Sequence, residues 1–116
     1  MNNKELQASR KLLMLDVSEA AEDIGKVSPR TWQYWESGRN AVPADVEREM
    51  LDLLSQRTEM MKPLDAALER GERPAIAFHQ RYEDFRRANC RGSLVEWRLS
   101  QSVAALYFAQ GYVDLQ

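Results

Sequence analysis

Arg30, Thr31, Gln33 and Tyr34 sit within five residues of one another and have the chemistry to read nucleobases. An arginine guanidinium pairs bidentately with guanine, a glutamine amide does the same with adenine, and a tyrosine ring packs on a thymine methyl or bonds a phosphate. Each good bidentate pair contributes about 1–3 kcal/mol of discrimination between bases. The rest of the chain gives little purchase for catalysis. His79 is its single histidine and Cys90 its single cysteine, so one chain cannot assemble a His/Cys zinc cluster. His79 reads as a solvated or hydrogen-bonded side chain rather than a base. Cys90 has Arg87 and Arg91 nearby to lower its pKa, yet it reads as an ordinary half-buried thiol. Arg86, Arg87 and Arg91 read as a solvated helix face, and Met50, Met60 and Met61 as core filler. No glycine-rich phosphate loop is present. No catalytic residue, metal ligand or cofactor is expected, and an enzyme is the least favoured class.

The residues around these four explain how they would be positioned. Residues 18–38 read as two short helices joined by a tight turn, with the second helix carrying the candidate base readers. Ser18 is placed to cap the first helix, and Ala20, Ala21 and Ile24 give it a small apolar face. Gly25 stands where the chain leaves that helix, a place suited to left-handed glycine. Val27 fills the space between the helices. Ser28 caps the second helix, Pro29 fits its first turn without needing an amide donor, and Gly38 stops it. Trp32 and Trp35 share the inward face, with Glu36 tying the helix end to a neighbour. Caps, turn and polar face agree with one another, which predicts a helix-turn-helix.

Length and charge bound this reading. A chain of 116 residues supports one compact domain or two small ones. The apolar content is that of a globular protein, no run approaches the roughly 20 residues needed to cross a bilayer, and no signal-peptide core begins the chain. With one cysteine and no internal disulfide, a cytoplasmic protein without membrane association is expected. The net charge of −2 argues against nucleic acid taken alone. Its distribution argues otherwise: Lys26, Arg30 and Arg39 face only Glu36 between residues 26 and 39. So small a basic footprint predicts reliance on base contacts and two-fold avidity more than on bulk electrostatics.

Further along, Leu6, Leu12, Leu13 and Leu15 suggest a first helix packed under the motif. Arg39 to Val42 form a loop, and Pro43 starts a helix in which Val46, Met50, Leu53 and Leu54 share a face. Pro63 predicts a break or kink, or a new helix start. Gly71 to Pro74 is the clearest boundary, which divides the chain into residues 1–70 and 71–116. Beyond it, residues 75–79 suit an edge strand, Tyr82 to Ala88 a short helix, and Ser93 with Glu96 a capping box. Leu94 to Gln110 carries an apolar stripe too wide for one side of so small a domain. Burial of the excess, with Leu94, Trp97, Val103, Leu106, Tyr107 and Phe108, against a second copy is therefore expected. Gly111 ends that helix, and residues 112–115 return as a strand. The fold class expected is mainly α, an N-terminal helix-turn-helix domain followed by a small α(+β) dimerisation domain.

The run from Gly25 to Pro43, especially Val27-Ser28, Trp35-Glu36, Gly38-Arg39 and Pro43, resembles the lambda-repressor-like, or xenobiotic-response-element, class of helix-turn-helix domain. More narrowly, residues 4–8, 12–15 and 28–38 resemble YdiL-like proteins, as do residues 95–99 and 104–111. These proteins include regulators associated with anti-CRISPR operons of phages and mobile elements. The resemblance implies a dimeric repressor that binds an inverted repeat in double-stranded DNA and shuts off an anti-CRISPR operon, its own gene included. On matching positions it implies DNA contacts at Ser28, Pro29, Arg30, Thr31, Gln33 and Tyr34, with Arg39 and Asn40 in a loop that touches phosphate. Pro29 departs from the broad class, where a polar base-reading residue often stands. That shifts the weight to Arg30, Gln33 and Tyr34. Two rivals stand beside this reading: an antitoxin-like regulator that neutralises a toxin, and a protein that binds structured RNA of its own transcript. A-form RNA hides its major groove, so the latter would use shape and loops.

Overall fold

The computed structural model describes residues 1–90 and 92–116; Arg91, grouped above with Arg86 and Arg87 and placed beside Cys90, lies outside them. The chain is mainly helical and divides into two compact units, Met1–Ser55 and Gln56–Gln116. The division falls inside a long helix, where the sequence reading set it after residue 70.

In the first unit, α1 (Asn3–Leu12) opens on a reciprocal capping box: the Asn2 side chain accepts from the Glu5 amide, and Glu5 accepts from the Asn2 amide, both at 2.8 Å. Leu6, Leu13 and Leu15 are buried, but Leu12 is 48% exposed and does not join them. Next comes α2 (Val17–Ala20), capped by Asp16 rather than Ser18. The Asp16 carboxylate accepts from the Glu19 amide at 2.7 Å, and Glu19 returns the bond at 3.1 Å. This box satisfies two free amides at once and leaves Ser18 inside the helix.

The following turn also differs from expectation. Ala21–Gly25 form a π-helical turn, and the left-handed residue is Lys26, with φ +55°. The Val27 amide donates to the Ala21 carbonyl at 3.0 Å and closes the turn. Gly25 is required for space rather than for backbone freedom. A Cβ there would lie 3.0 Å from a Val27 methyl and 3.1 Å from both the Trp32 and Trp35 rings. The turn is followed by α3 (Pro29–Glu36) and then by α4 (Ala44–Glu69), which Pro43 precedes instead of entering.

Val46, Met50 and Leu53 of α4 are buried in the first unit. Pro63 lies inside α4 and does not break it. A proline removes one ladder bond and frees the carbonyl four residues earlier. Here both Pro63 and Glu59 are exposed, so water can satisfy that carbonyl.

The second unit takes the end of α4 into its own core, which accounts for the position of the division. Val103, Tyr107 and Val113 are buried there with Met61, Leu64, Leu68, Ile76, Leu106 and Leu115 packed around them. Two short strands, β1 (Ala75–Ile76) and β2 (Asp114–Leu115), pair in parallel with Ala75 opposite Asp114. Between them run α5 (Tyr82–Ala88) and α6 (Leu94–Ala109). Ser93 caps α6 by accepting from the Glu96 amide at 3.1 Å. Gly111, at φ +79°, then turns the chain toward β2. Burial and a hydrogen bond to Asp65 push the Tyr107 phenol up to about 12. Arg57, buried with its Nε on the Ser102 hydroxyl at 3.0 Å, is pushed below its ordinary value by desolvation.

Candidate nucleic-acid interface

Helix α3 is anchored from below. Trp32 is fully buried and Trp35 nearly so, their ring centroids 5.4 Å apart at 59°. Glu36 forms a fork with Arg10 of α1: Nε reaches one carboxylate oxygen at 2.6 Å and Nη2 the other at 3.0 Å. The Trp32 indole also donates to Glu36, while Asn3 donates to the Glu36 carbonyl at 3.3 Å. Arg10 is itself buried and spends its remaining reach on the Leu15 carbonyl at 3.0 Å. Burial pushes the Glu36 carboxyl up, but the hydrogen bonds from Arg10 and Trp32 outweigh it and hold the group below the usual carboxylate range. The sequence pointed to Glu36 as a tie but not to its partner. Arg10 lies in the last turn of α1, 26 positions before Glu36.

Above this anchor the eight predicted contact residues separate by role. Arg30 and Gln33, three residues apart, are exposed on the face of α3 away from Trp32 and Trp35. Ser28 and Thr31 serve the helix end instead. The Ser28 hydroxyl accepts from the Thr31 amide at 3.3 Å and lies 3.1 Å from the Thr31 hydroxyl. Pro29 is exposed at the first helical position and offers no donor. Tyr34 is half-buried and lies beneath Arg39, whose guanidinium carbon is 4.3 Å from the ring centroid. Asn40 is exposed, and its amide donates to the Tyr34 carbonyl at 3.1 Å. Lys26 stands just before the helix, exposed, with its amine on the Asp23 carbonyl at 2.9 Å. The arrangement is a rigid helix with a guanidinium and an amide facing outward, flanked by cations.

The six residues expected to pair two copies are placed differently. Trp97, Val103 and Tyr107 are buried within their own unit. Leu94 and Leu106 are half-buried, and Phe108 is 54% exposed. The wide stripe of α6 is therefore largely covered by the chain itself. His79 and Cys90 belong to the second unit, away from α3 in the sequence. The His79 carbonyl accepts from the Trp97 indole at 2.8 Å and from Gln101 at 3.1 Å, and its ring meets the Phe85 ring edge-on at 5.9 Å. Cys90 is exposed rather than half-buried, and Met60 is exposed while Met50 is in the core. Among the described residues no cluster of three potential metal ligands occurs, and no helix is long and apolar enough to cross a membrane.

Comparison with known proteins covers both units at once. The chain is 62% identical over 115 residues to the Aca2 repressor of Pectobacterium phage ZF40, covering 99% of each protein. It is 32% identical over 114 residues to the uncharacterized protein YdiL of Escherichia coli strain K12, covering 94% of each. The pattern described as Aca2/YdiL-like matches residues 1–115, and the chain belongs to that family.

Proposed function

We propose that this protein is a sequence-specific transcriptional repressor, and that α2, its π turn and α3 act as a helix-turn-helix. The observation that carries the reading is the division of α3. Its inner face is locked by Trp32, Trp35 and the Arg10–Glu36 fork, while Arg30 and Gln33 are exposed. A reader of the major groove needs this combination, because loosely held side chains cannot discriminate base edges. The name of the phage relative supports the same conclusion.

Repression is by occupancy. Two copies bind an inverted repeat with their recognition helices about one duplex turn apart, roughly 34 Å, each reading one half-site. The operator lies before the protein's own gene in an anti-CRISPR operon, so rising protein lowers its own transcription. Pairing of the two copies uses what α6 leaves uncovered, with Phe108 at its centre. The test is nuclease footprinting on the upstream region of its own gene at stated salt. Two protected half-sites are expected. Protection that appears evenly along the duplex, with no half-site protected before non-specific binding sets in, would overturn the reading.

A further inference from the structure

The geometry points to Tyr34 as a positioning residue whose ring presents Arg39 to a DNA phosphate, rather than as a reader of bases. The inference rests on the reading of α3 as the recognition helix. Three observations carry it. First, the Arg39 guanidinium lies over the Tyr34 ring at 4.3 Å, within cation–π range, so that face of the ring is covered. A covered face is not open to a thymine methyl. Second, the backbone is built to hold this stack. Gly38, at φ +82°, reverses the chain, while the Ser37 hydroxyl and the Asn40 amide both donate to the Tyr34 carbonyl, at 3.2 and 3.1 Å. That wraps residues 37–40 around Tyr34 and returns Arg39 to its ring. Third, among the described residues no carboxylate pairs with Arg39.

A stacked guanidinium keeps its N–H donors in its own plane, directed past the ring edge, and that plane suits the bidentate geometry of a phosphate. Holding it against the helix end removes rotamer freedom before DNA arrives, so less is lost on binding. Base discrimination is thereby left to Arg30 and Gln33. Arg39 supplies a contact that is strong, independent of sequence and fixed in register.

The test is a double-mutant cycle read by fluorescence anisotropy, using the footprinted operator duplex and its single-base variants across a salt series. Tyr34→Phe keeps the stack and should bind within about twofold of wild type. Tyr34→Leu keeps apolar bulk without the ring face. It should lose about fivefold to tenfold, equally across base variants, and lower the slope of log affinity against log salt by about two, one phosphate for each half-site, as Arg39→Ala should. The double variant should lose no more than either single one. In the free protein, the Arg39 side-chain protons should show an upfield ring-current shift that Tyr34→Leu abolishes. That readout stands even if DNA binding is weak. Loss of preference at one base position in Tyr34→Leu, additive losses, or a Tyr34→Phe defect as large as that of Tyr34→Leu would overturn the inference while leaving the repressor reading intact. Absence of any specific binding by the wild-type protein would overturn both.

Discussion

Helices α3 and α6 both carry tryptophan and tyrosine, yet they use their surfaces in opposite ways. In α3 the aromatic residues at positions 32 and 35 face inward, and the polar residues at 30 and 33 face water. In α6 burial runs through consecutive positions, Gln101, Ser102, Val103 and Ala104, so most of the helix surface is taken by its own unit and Phe108 is left exposed. A helix apolar on most sides is a core helix. The difference teaches that an apolar surplus in sequence is taken up first by the core of its own unit, whereas a sharp division between two faces leaves one side of a helix open to solvent.

The comparison can be tested hardest at its anchor. Replacing Trp32, which is fully buried, with alanine should destabilise the first unit by about 3–5 kcal/mol, a large share of a small unit's stability. Urea denaturation followed by tryptophan fluorescence measures it. A loss under about 1 kcal/mol would mean that α3 is not held from beneath. Somewhat smaller is the effect of Glu36→Gln, about 3 kcal/mol, since Arg10 is left buried beside a neutral group. The pH dependence has a definite sign. The folded Glu36 titrates below its unfolded value near ~4.3, so its stabilisation is present above that pH and is lost as acid titrates the folded group. Wild type should therefore lose stability on acidification more steeply than Glu36→Gln. Equal acid profiles would remove the fork from the account.

The outward face of α3 predicts the converse behaviour. Arg30→Ala should leave urea stability within about 0.5 kcal/mol, because the side chain is exposed. Specific operator binding should fall by about 1–3 kcal/mol per half-site, close to abolition when two half-sites must be filled together. A gel shift with unchanged affinity would contradict the assignment of this face.

Some of this was legible in sequence for local reasons. Ser28-Pro29 and Gly38 bracket α3 because capping, proline geometry and left-handed glycine act within a few residues. A strand after Pro74 and the cap at Ser93 were legible for the same reason, though the strand covers Ala75–Ile76 rather than residues 75–79 and its parallel pairing was not. The cap at Asp16 was missed although Asp16-Val-Ser-Glu19 carries the capping-box spacing, since Ser18 competed for the same role. Gly25 shows the other kind of limit. Its need for space comes from the ring of Trp35, ten positions later, and Lys26 takes the left-handed turn in its place. The covering of α6 by Met61, Leu64 and Leu68 depends on α4 continuing through Pro63, which local propensity argues against.

The smallest effect on stability, and the sharpest test of α6, comes from Phe108→Asp. A charge at Leu106 would confuse assembly with folding, because Leu106 packs on the core around Tyr107. Phe108 is more than half exposed in the single chain, so a carboxylate there should change urea stability by about 0.5 kcal/mol or less. If two copies meet on what α6 leaves uncovered, the same carboxylate is buried twice at a two-fold contact and opposed by its own symmetry mate. Sedimentation should then show monomers, and operator binding should weaken because each half-site is filled independently. A dimer that survives Phe108→Asp would mean that the copies pair through a surface other than the exposed end of α6.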